Sequence, residues 1–453
     1  MRIRTRGKAV ALFAALAMIA AACGGDDAAD EPDDSAEEPE EEAEEEAEEP
    51  EEEAEEEAEE ETEEEGDAAG GDGLTVGYIL PETGQLAFLG PPMISGVELA
   101  LSEVNDAGGV LGSEVTLLSG DEAGDTGIAA EEASRLLAAG VDAIVGAAAT
   151  GMTLAIIDQV TGSEVVQCSP SNTGPALTTY PDGGYYFRTA PSDALQGPVL
   201  ANQVVSDGYA SVAIAARADD YGQGLLDATQ AALEAQGAIV EFADTYDPEA
   251  GTFDSVVEAM VTSGADAYVV ISFAEGGAIV QGLLGAGIEP SAMYGADGIA
   301  GAAFAEEVDP SDPNVLDGMT FTAPSSQSSS DFDTKLTAFA PDLVDRLFAP
   351  QSYDCANLIA LSAAVAESTD SADIRDLMIE VTLGDNPCGS YPECMEFVDA
   401  GESIAYQSAA GDALAFMEVR EGSGEPSRGA YDVSRWVDGV FTLLDVRTGT
   451  VEQ

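Results

Sequence analysis

From residue 74 onward, short apolar runs alternate with stretches in which apolar residues recur every three or four positions. The first run, Leu74-Thr75-Val76-Gly77-Tyr78-Ile79-Leu80, reads as a buried strand ended by Pro81. A loop over 82–92 carries Phe88, Leu89 and Gly90. Met93, Val97, Ala100, Leu101 and Val104 then mark a helix closed by Gly108-Gly109. Strands follow at 115–118, with Asp121-Glu122 at its end, and at 143–146, separated by a helix over 126–139. The turn Ala147-Ala148-Ala149-Thr150-Gly151 opens another helix through Ile156 and Ile157. Glu164-Val165-Val166 is a further β run, broken by Ser169-Pro170, because the residue before a proline avoids the α region.

The pattern begins again after Ser192-Asp193. Helix is predicted over 199–205, strand over 211–215, and a helix from Asp219-Asp220-Tyr221-Gly222-Gln223-Gly224 through Leu233. Strand 239–240, helix 253–261, strand 268–271, helix 278–284 and strand 293–295 complete this second series. Such alternation builds parallel sheets with right-handed crossovers. The expected fold class is therefore α/β, with two Rossmann-like lobes. Beyond the Ser-rich run 325–330, helices are predicted at 331–347, 352–367 and 371–381, and β-strands at 413–419 and 431–446. Two lobes joined by more than one crossing strand make a cleft that closes by hinging.

Composition narrows the function. The chain has 453 residues, 45% of them hydrophobic, and a net charge of −74 with no histidine and 14 Lys plus Arg. Nucleic acid is excluded as a partner, since phosphates need a basic face. Histidine-based catalysis and His-ligated metal are excluded outright, and no nucleophile–base pair stands at motif spacing. No metal or cofactor is expected.

The amino end reads as a signal peptide over 1–22, with Arg2, Arg4, Arg6 and Lys8 before an apolar stretch too short to span comfortably. Small residues before Cys23 resemble the bacterial lipoprotein processing site, although Ala20 stands where that motif usually has Leu. Lipidation of Cys23 is expected; ordinary cleavage near Ala22, leaving a free thiol, is the alternative. Residues 23–73 follow as a disordered acidic tether of Glu-Glu-Glu-Ala repeats, holding 30 of the 88 acidic residues. A coil of this length spans ~40 Å before self-repulsion stretches it. Residues 74–453 still carry 58 acids against 10 Lys plus Arg. A high-salt habitat accounts for that balance; an acidic lineage without salt adaptation accounts for it equally.

Candidate chemistry lies at strand carboxyl ends, where open α/β sheets bind ligands. Thr150 starts a helix after a strand, and Ser171 and Thr173 lie in the next such loop. A helix N-terminus with free N–H groups and hydroxyls favours an anion, and a carboxylate suits it in the absence of a glycine-rich phosphate loop. In the second lobe Asp297 lies just past a strand and can pair with an ammonium. Tyr221 and Tyr353 supply flat apolar walls with a polar tip. Together these describe a zwitterion site. Taken singly, Asp297-Gly298 is a turn, Tyr221 is packing and Thr150 is an N-cap.

The order and spacing of Gly108-Gly109-Val110-Leu111-Gly112, Asp121-Glu122, Val145-Gly146, Ser169-Pro170-Ser171-Asn172-Thr173, Tyr221-Gly222-Gln223-Gly224, Tyr294-Gly295-Ala296-Asp297-Gly298 and Tyr353-Asp354 carry a resemblance. Over roughly 74–446 the chain resembles the substrate-binding lipoproteins of ABC transporters, of the branched-chain amino acid type with the periplasmic-binding-protein type I fold. That resemblance implies lobes joined by a multi-strand hinge, with 74–194 plus 328–424 forming the first lobe and 195–327 plus 425–453 the second. It implies that Thr150, Ser171 and Thr173 hold a ligand carboxylate. Asp297 would take the ammonium, and Tyr221, Leu89 and Tyr353 would close over the ligand. Leucine-binding members tend to have Glu where Asp297 stands and an aromatic where Leu89 stands, and amide- and urea-binding relatives share the scaffold. No Lys or Arg lies within these motifs, so an acidic ligand side chain is disfavoured.

Cys388 and Cys394 bracket a short loop with Gly389 and Pro392, so a local bridge is expected in an oxidising envelope. Cys168 and Cys355 remain. Both lie in the first lobe near the pocket if Tyr353 contacts ligand as the resemblance implies; a bridge and two free buried thiols both fit, and metal binding is disfavoured without a CxxC spacing. The implied protein is a monomer tethered by lipid to the outer face of the cytoplasmic membrane. It captures a neutral amino acid and delivers it to an ABC permease. An amide or urea receptor and a sensor module acting on a signalling partner are the alternatives.

Overall fold

The computed structural model describes residues 73–410, 416–420, 423–426 and 428–450. The expected signal peptide, Cys23 and the acidic run up to residue 72 lie outside the described residues. Among the described residues no helix is long and apolar enough to cross a membrane.

Five parallel strands form the heart of the first lobe: β1 (Thr75–Ile79), β2 (Thr116–Leu118), β3 (Ala143–Gly146), β4 (Val166–Ser169) and β5 (Tyr186–Arg188). Their spatial order is 2-1-3-4-5. The second lobe repeats it with β6 (Ser211–Arg217), β7 (Ile239–Tyr246), β8 (Ala267–Ile271), β9 (Met293–Gly295) and β10 (Thr320–Pro324), ordered 7-6-8-9-10. Each sheet reverses its order once, between β1 and β3 and between β6 and β8. Such a switch point leaves a crevice at the strand carboxyl ends. Every residue of β3, β4 and β8 is buried, as expected for strands covered on both faces.

The helices that matter for the cleft are α1 (Gly90–Asp106), α2 (Thr126–Ala138), α3 (Thr150–Gly162), α4 (Asp193–Ser206) and α5 (Asp220–Ala235). The helical face expected on α1, from Met93 to Val104, is the buried one. Asp125 caps α2 through the N–H groups of Gly127 and Ile128, Ser192 caps α4 and Asp219 caps α5, each satisfying donors that a helix start leaves open.

After β10 the chain returns to the first lobe. The helix predicted over 331–347 stops at Phe339, because Ala340 precedes Pro341 and is driven out of the α region. Residues 340–348 instead form an irregular link to the helix Ala349–Ala366, which is buried along almost its whole length against α1, β3 and β4. The closing strands then divide. Phe416–Arg420 and Ser423–Pro426 join the first sheet beside β5, while Arg428–Val437 and Val440–Thr450 extend the second beyond β10. The lobe boundary expected at 424/425 falls inside Ser423–Pro426.

The chain thus crosses between lobes at 189–192, at 325–329 and after Pro426. The crossings are cross-linked: the Tyr431 hydroxyl donates to the Ser192 carbonyl (2.8 Å), the Ser325 N–H to the Ala430 carbonyl (2.8 Å), and the Gln351 amide to the Ser325 carbonyl (2.9 Å).

Both bridges are formed. Cys388–Cys394 closes its short loop with the Cα atoms 5.2 Å apart, and Cys168–Cys355 joins β4 to the long buried helix with the Cα atoms 5.8 Å apart. The second links positions 187 residues apart and so removes much freedom from the unfolded chain. Cys355→Ser is expected to cost about 2–5 kcal/mol of stability. Thermal unfolding followed by circular dichroism checks this, and an unchanged midpoint would show that the bridge contributes nothing.

Candidate functional site

The 147–149 turn after β3, the 170–174 loop after β4 and the 82–89 loop after β1 lie along one rim of the first sheet. Opposite them, in the second lobe, stand the start of α5 after β6, Ser272-Phe273 after β8 and Asp297-Gly298 after β9. One cavity is lined from both sides. Leu86, Leu89, Thr150, Ser171, Thr173 and Phe348 come from the first lobe, and Tyr221, Phe273, Asp297 and Gly298 from the second. Its empty volume is about 280 Å³, counting its opening to solvent, which is near the lower end for small-ligand sites. The lobes touch beside it, where the Arg217 guanidinium donates to the Gln85 side-chain carbonyl at 3.1 Å and the Ala302 N–H to the Asp345 carboxylate at 3.2 Å.

The first-lobe end of the cavity is rich in donors. Thr150 begins α3, whose N-cap Ala149 offers no side-chain acceptor, so the first-turn N–H groups have no capping partner. The Thr150 hydroxyl accepts from the Gly174 N–H (3.2 Å), which leaves its own proton free to donate. Ser171 spends its proton on the Ala148 carbonyl (2.9 Å) and keeps its lone pairs. Gly174 has no alternative, since a Cβ there would sit 2.4 Å from the Thr150 methyl. Beneath this loop Arg188, fully buried at the end of β5, donates to the carbonyls of Asn172 (3.3 Å) and Gly174 (3.0 Å) and pairs with Glu425.

The second-lobe end is acidic. The Asp297 carboxylate accepts from the Gln196 amide (2.7 Å) and the Tyr221 hydroxyl (3.0 Å). Burial pushes it up to about 6, against those two donors. Asp193, at the start of α4, is a second buried acid. Neither of its oxygens has a hydrogen-bond partner, and burial together with the Asp297 charge holds it well above the usual carboxylate range, although the nearby Thr173 hydroxyl favours its charged form. The Tyr221 ring stacks on Phe273 with centroids 5.4 Å apart, and the Arg217 guanidinium lies over the Phe273 ring, 3.5 Å from its centroid. The lining carries no Lys or Arg. Such a chamber can hold a small dipolar molecule, anion toward α3 and cation toward Asp297, with its apolar part against Leu86, Leu89 and Phe348.

A larger opening of about 630 Å³ lies at the lobe junction near Phe321, Arg346 and Phe441. Its one guanidinium is already paired with Asp333. Among the described residues no cluster of three or more His, Cys, Asp or Glu side chains is placed to hold a metal.

The sequence profile of a periplasmic binding protein family matches residues 73–393. The chain belongs to that family. A Leu/Ile/Val-binding protein homologue from Brucella melitensis is 30% identical over 229 residues, half of this chain and 62% of that protein. A second from the same organism is 28% identical over 315 residues, covering 67% of this chain and 82% of its own. Two solved structures share the fold. The branched-chain amino acid binding protein LivJ of Streptococcus pneumoniae, in complex with isoleucine, has a TM-score of 0.68 at 22% identity, over 84% of this chain and all of that one. The leucine-binding protein LivK of Thermotoga maritima has 0.69 at 19%, over 82% and 98%. The architecture is that of type I periplasmic binding proteins.

Within this periplasmic binding protein, the cavity gathers Leu89, Thr150, Ser171, Thr173, Tyr221 and Asp297 from the expected set. Tyr353 is placed elsewhere. It lies one turn into the long helix, its hydroxyl donates to Glu103 on α1, and its ring edge packs on Phe332 at 5.1 Å. The wall expected of it is formed by Phe348, which precedes that helix with a left-handed φ of 64°. A bulky residue with positive φ is held there only by its surroundings. Nothing in the sequence marked Phe348, because that conformation depends on the packing of the 340–348 link. Asp193 was equally silent, since an acid after an N-cap serine is ordinary helix-start chemistry. Gly174→Ala is expected to push the Thr150 hydroxyl out of place and abolish measurable ligand binding while leaving a cooperative unfolding transition. Calorimetric titration beside a melting curve checks this, and intact affinity would show that the loop absorbs the methyl group.

Proposed function

We propose that this chain is an extracytoplasmic receptor that closes its two lobes on a neutral amino acid of the branched-chain type and hands it to an ABC permease. The observation that supports it most strongly is the polarity of the cavity that holds Thr150 and Asp297, with α3 donors and hydroxyls in one lobe facing Asp297 in the other. A zwitterion bridges the lobes, and this gives the closed form the differential affinity that closure requires. The kinship with Leu/Ile/Val-binding proteins and the likeness to LivJ with isoleucine point to the same ligand class. Leu86, Leu89, Phe273 and Phe348 suit an aliphatic side chain, and the absence of a lining cation disfavours an acidic one. Delivery to a permease, anchoring through Cys23 and action as a monomer complete the reading.

A thermal-shift series over the neutral amino acids, acetamide and urea tests the ligand class. Leucine, isoleucine or valine at 100 times its dissociation constant adds ~2.7 kcal/mol. Silence from all three, or a response to urea or acetamide alone, would overturn the assignment.

Asp297→Asn is expected to weaken leucine binding by about 30-fold or more, the result of leaving a buried ammonium without its counter-charge. Only ionised Asp297 attracts the ammonium, so affinity should also fall as pH drops through about 6. Titration calorimetry between pH 5 and 7 checks both. A flat profile would move the ammonium away from Asp297.

A further inference from the structure

Glu122 stands just beyond β2 and is wholly buried. Its carboxyl accepts the Ala148 N–H at 2.6 Å and approaches the Ala149 N–H at 3.4 Å. Both residues line the cavity immediately before Thr150 opens α3. The other edge of the same turn is held through its carbonyls. Ala147 accepts from the Ser169 hydroxyl (2.7 Å), and Ala148 from the Ser171 hydroxyl (2.9 Å) and the Asn172 amide (2.7 Å). Glu122 therefore completes a grip on the segment that presents the anion-binding end of the cleft, without lining the cavity itself.

Its charge state is constrained by what surrounds it. The 147–149 turn consists of three alanines, and the end of β1 meets Glu122 through the Leu80 carbonyl. Asp121 turns its carboxylate to the Thr83 hydroxyl and to the N–H groups of Glu82, Thr83 and Ala123, and opposes a negative Glu122. Asp125 donates its N–H to the Glu122 carbonyl and directs its side chain to α2. Among the described residues no cation forms an ion pair with Glu122. Burial accordingly pushes the Glu122 carboxyl up to about 8 despite its two N–H contacts. The oxygen facing Ala149, whose contact is long, is the one free to carry the proton.

We propose that Glu122 is a positioning residue for the carboxylate end of the ligand. It holds the 147–149 turn as a neutral acid, and its ionisation weakens capture of any ligand that presents a carboxylate at α3. The inference rests on reading the cleft as an amino-acid site. A ligand carboxylate placed at Thr150 lies one turn segment away, and both Thr150 and Glu122 are buried, so like charges there oppose each other strongly. Binding favours the protonated form of Glu122, so affinity declines as pH rises through the value of the free protein.

The test is calorimetric titration of L-leucine into the full chain and into Glu122→Gln between pH 7 and 9. Glutamine keeps an acceptor for Ala148 and cannot ionise. The two proteins should bind within about threefold of each other at pH 7. The ratio of their dissociation constants should then rise by roughly five- to tenfold by pH 9, as expected for one group titrating near 8. Deprotonation of the leucine ammonium affects both proteins alike and cancels in the ratio. Should Glu122→Gln fail to fold, wild-type titrations at pH 8.5 in two buffers of different ionisation enthalpy give the same answer, with uptake of more than half a proton expected. A flat ratio, or no uptake, overturns the inference alone. Absence of leucine binding at pH 7 removes the amino-acid reading and this inference with it.

Discussion

Arg188 is the point on which the site and the hinge both depend. It ends β5, so it stands at the first crossing between lobes, and its partner Glu425 lies on the strand that leads into the last. The same guanidinium holds the carbonyls of Asn172 and Gly174 and the Thr178 hydroxyl. A charge removed from water this completely is tolerable only when every donor is used, and here a carboxylate, two carbonyls and a hydroxyl use them. The 170–174 loop is thus anchored to the segments that cross between the lobes.

That anchoring matters because the two ends of the cavity are built differently. The α3 end is made of backbone N–H groups and hydroxyls set by a turn of alanines, with Glu122 on one side and Ser169, Ser171 and Asn172 on the other. The opposite end carries a side-chain acid, Asp297 just past β9, with Asp193 at the start of α4 near enough for the two charges to oppose each other. Dipoles need accurate placement to be worth anything, whereas a carboxylate attracts a cation over a wider range.

The repeated strand orders 2-1-3-4-5 and 7-6-8-9-10 explain why one crevice serves both lobes. Each switch point opens where its strands end, and the crossings turn the two openings toward each other. The Cys168–Cys355 bridge and the buried helix behind β3 and β4 stiffen the first lobe at the same level. The long acidic excess of the chain has no counterpart in the lining, where polarity is divided between lobes rather than summed.

Local pattern was enough to determine the α/β alternation, the duplicated lobe, the buried face of α1 and the rim positions of Thr150, Ser171, Thr173 and Asp297. Each of these depends on a periodicity of two or 3.6 residues, or on where a strand ends, and neighbours along the chain carry that information. Tertiary structure decided the rest. Tyr353 and Phe348 lie five residues apart, and which of them meets the cleft depended on how α1 and the 330–339 helix pack against the long buried helix. The facing of Asp193 and Asp297, the pairing of Arg188 with Glu425 across 237 residues and the burial of Glu122 beneath the 147–149 turn arise only when distant segments meet. Burial and its effect on charge are properties of that meeting, and no stretch of sequence holds them alone.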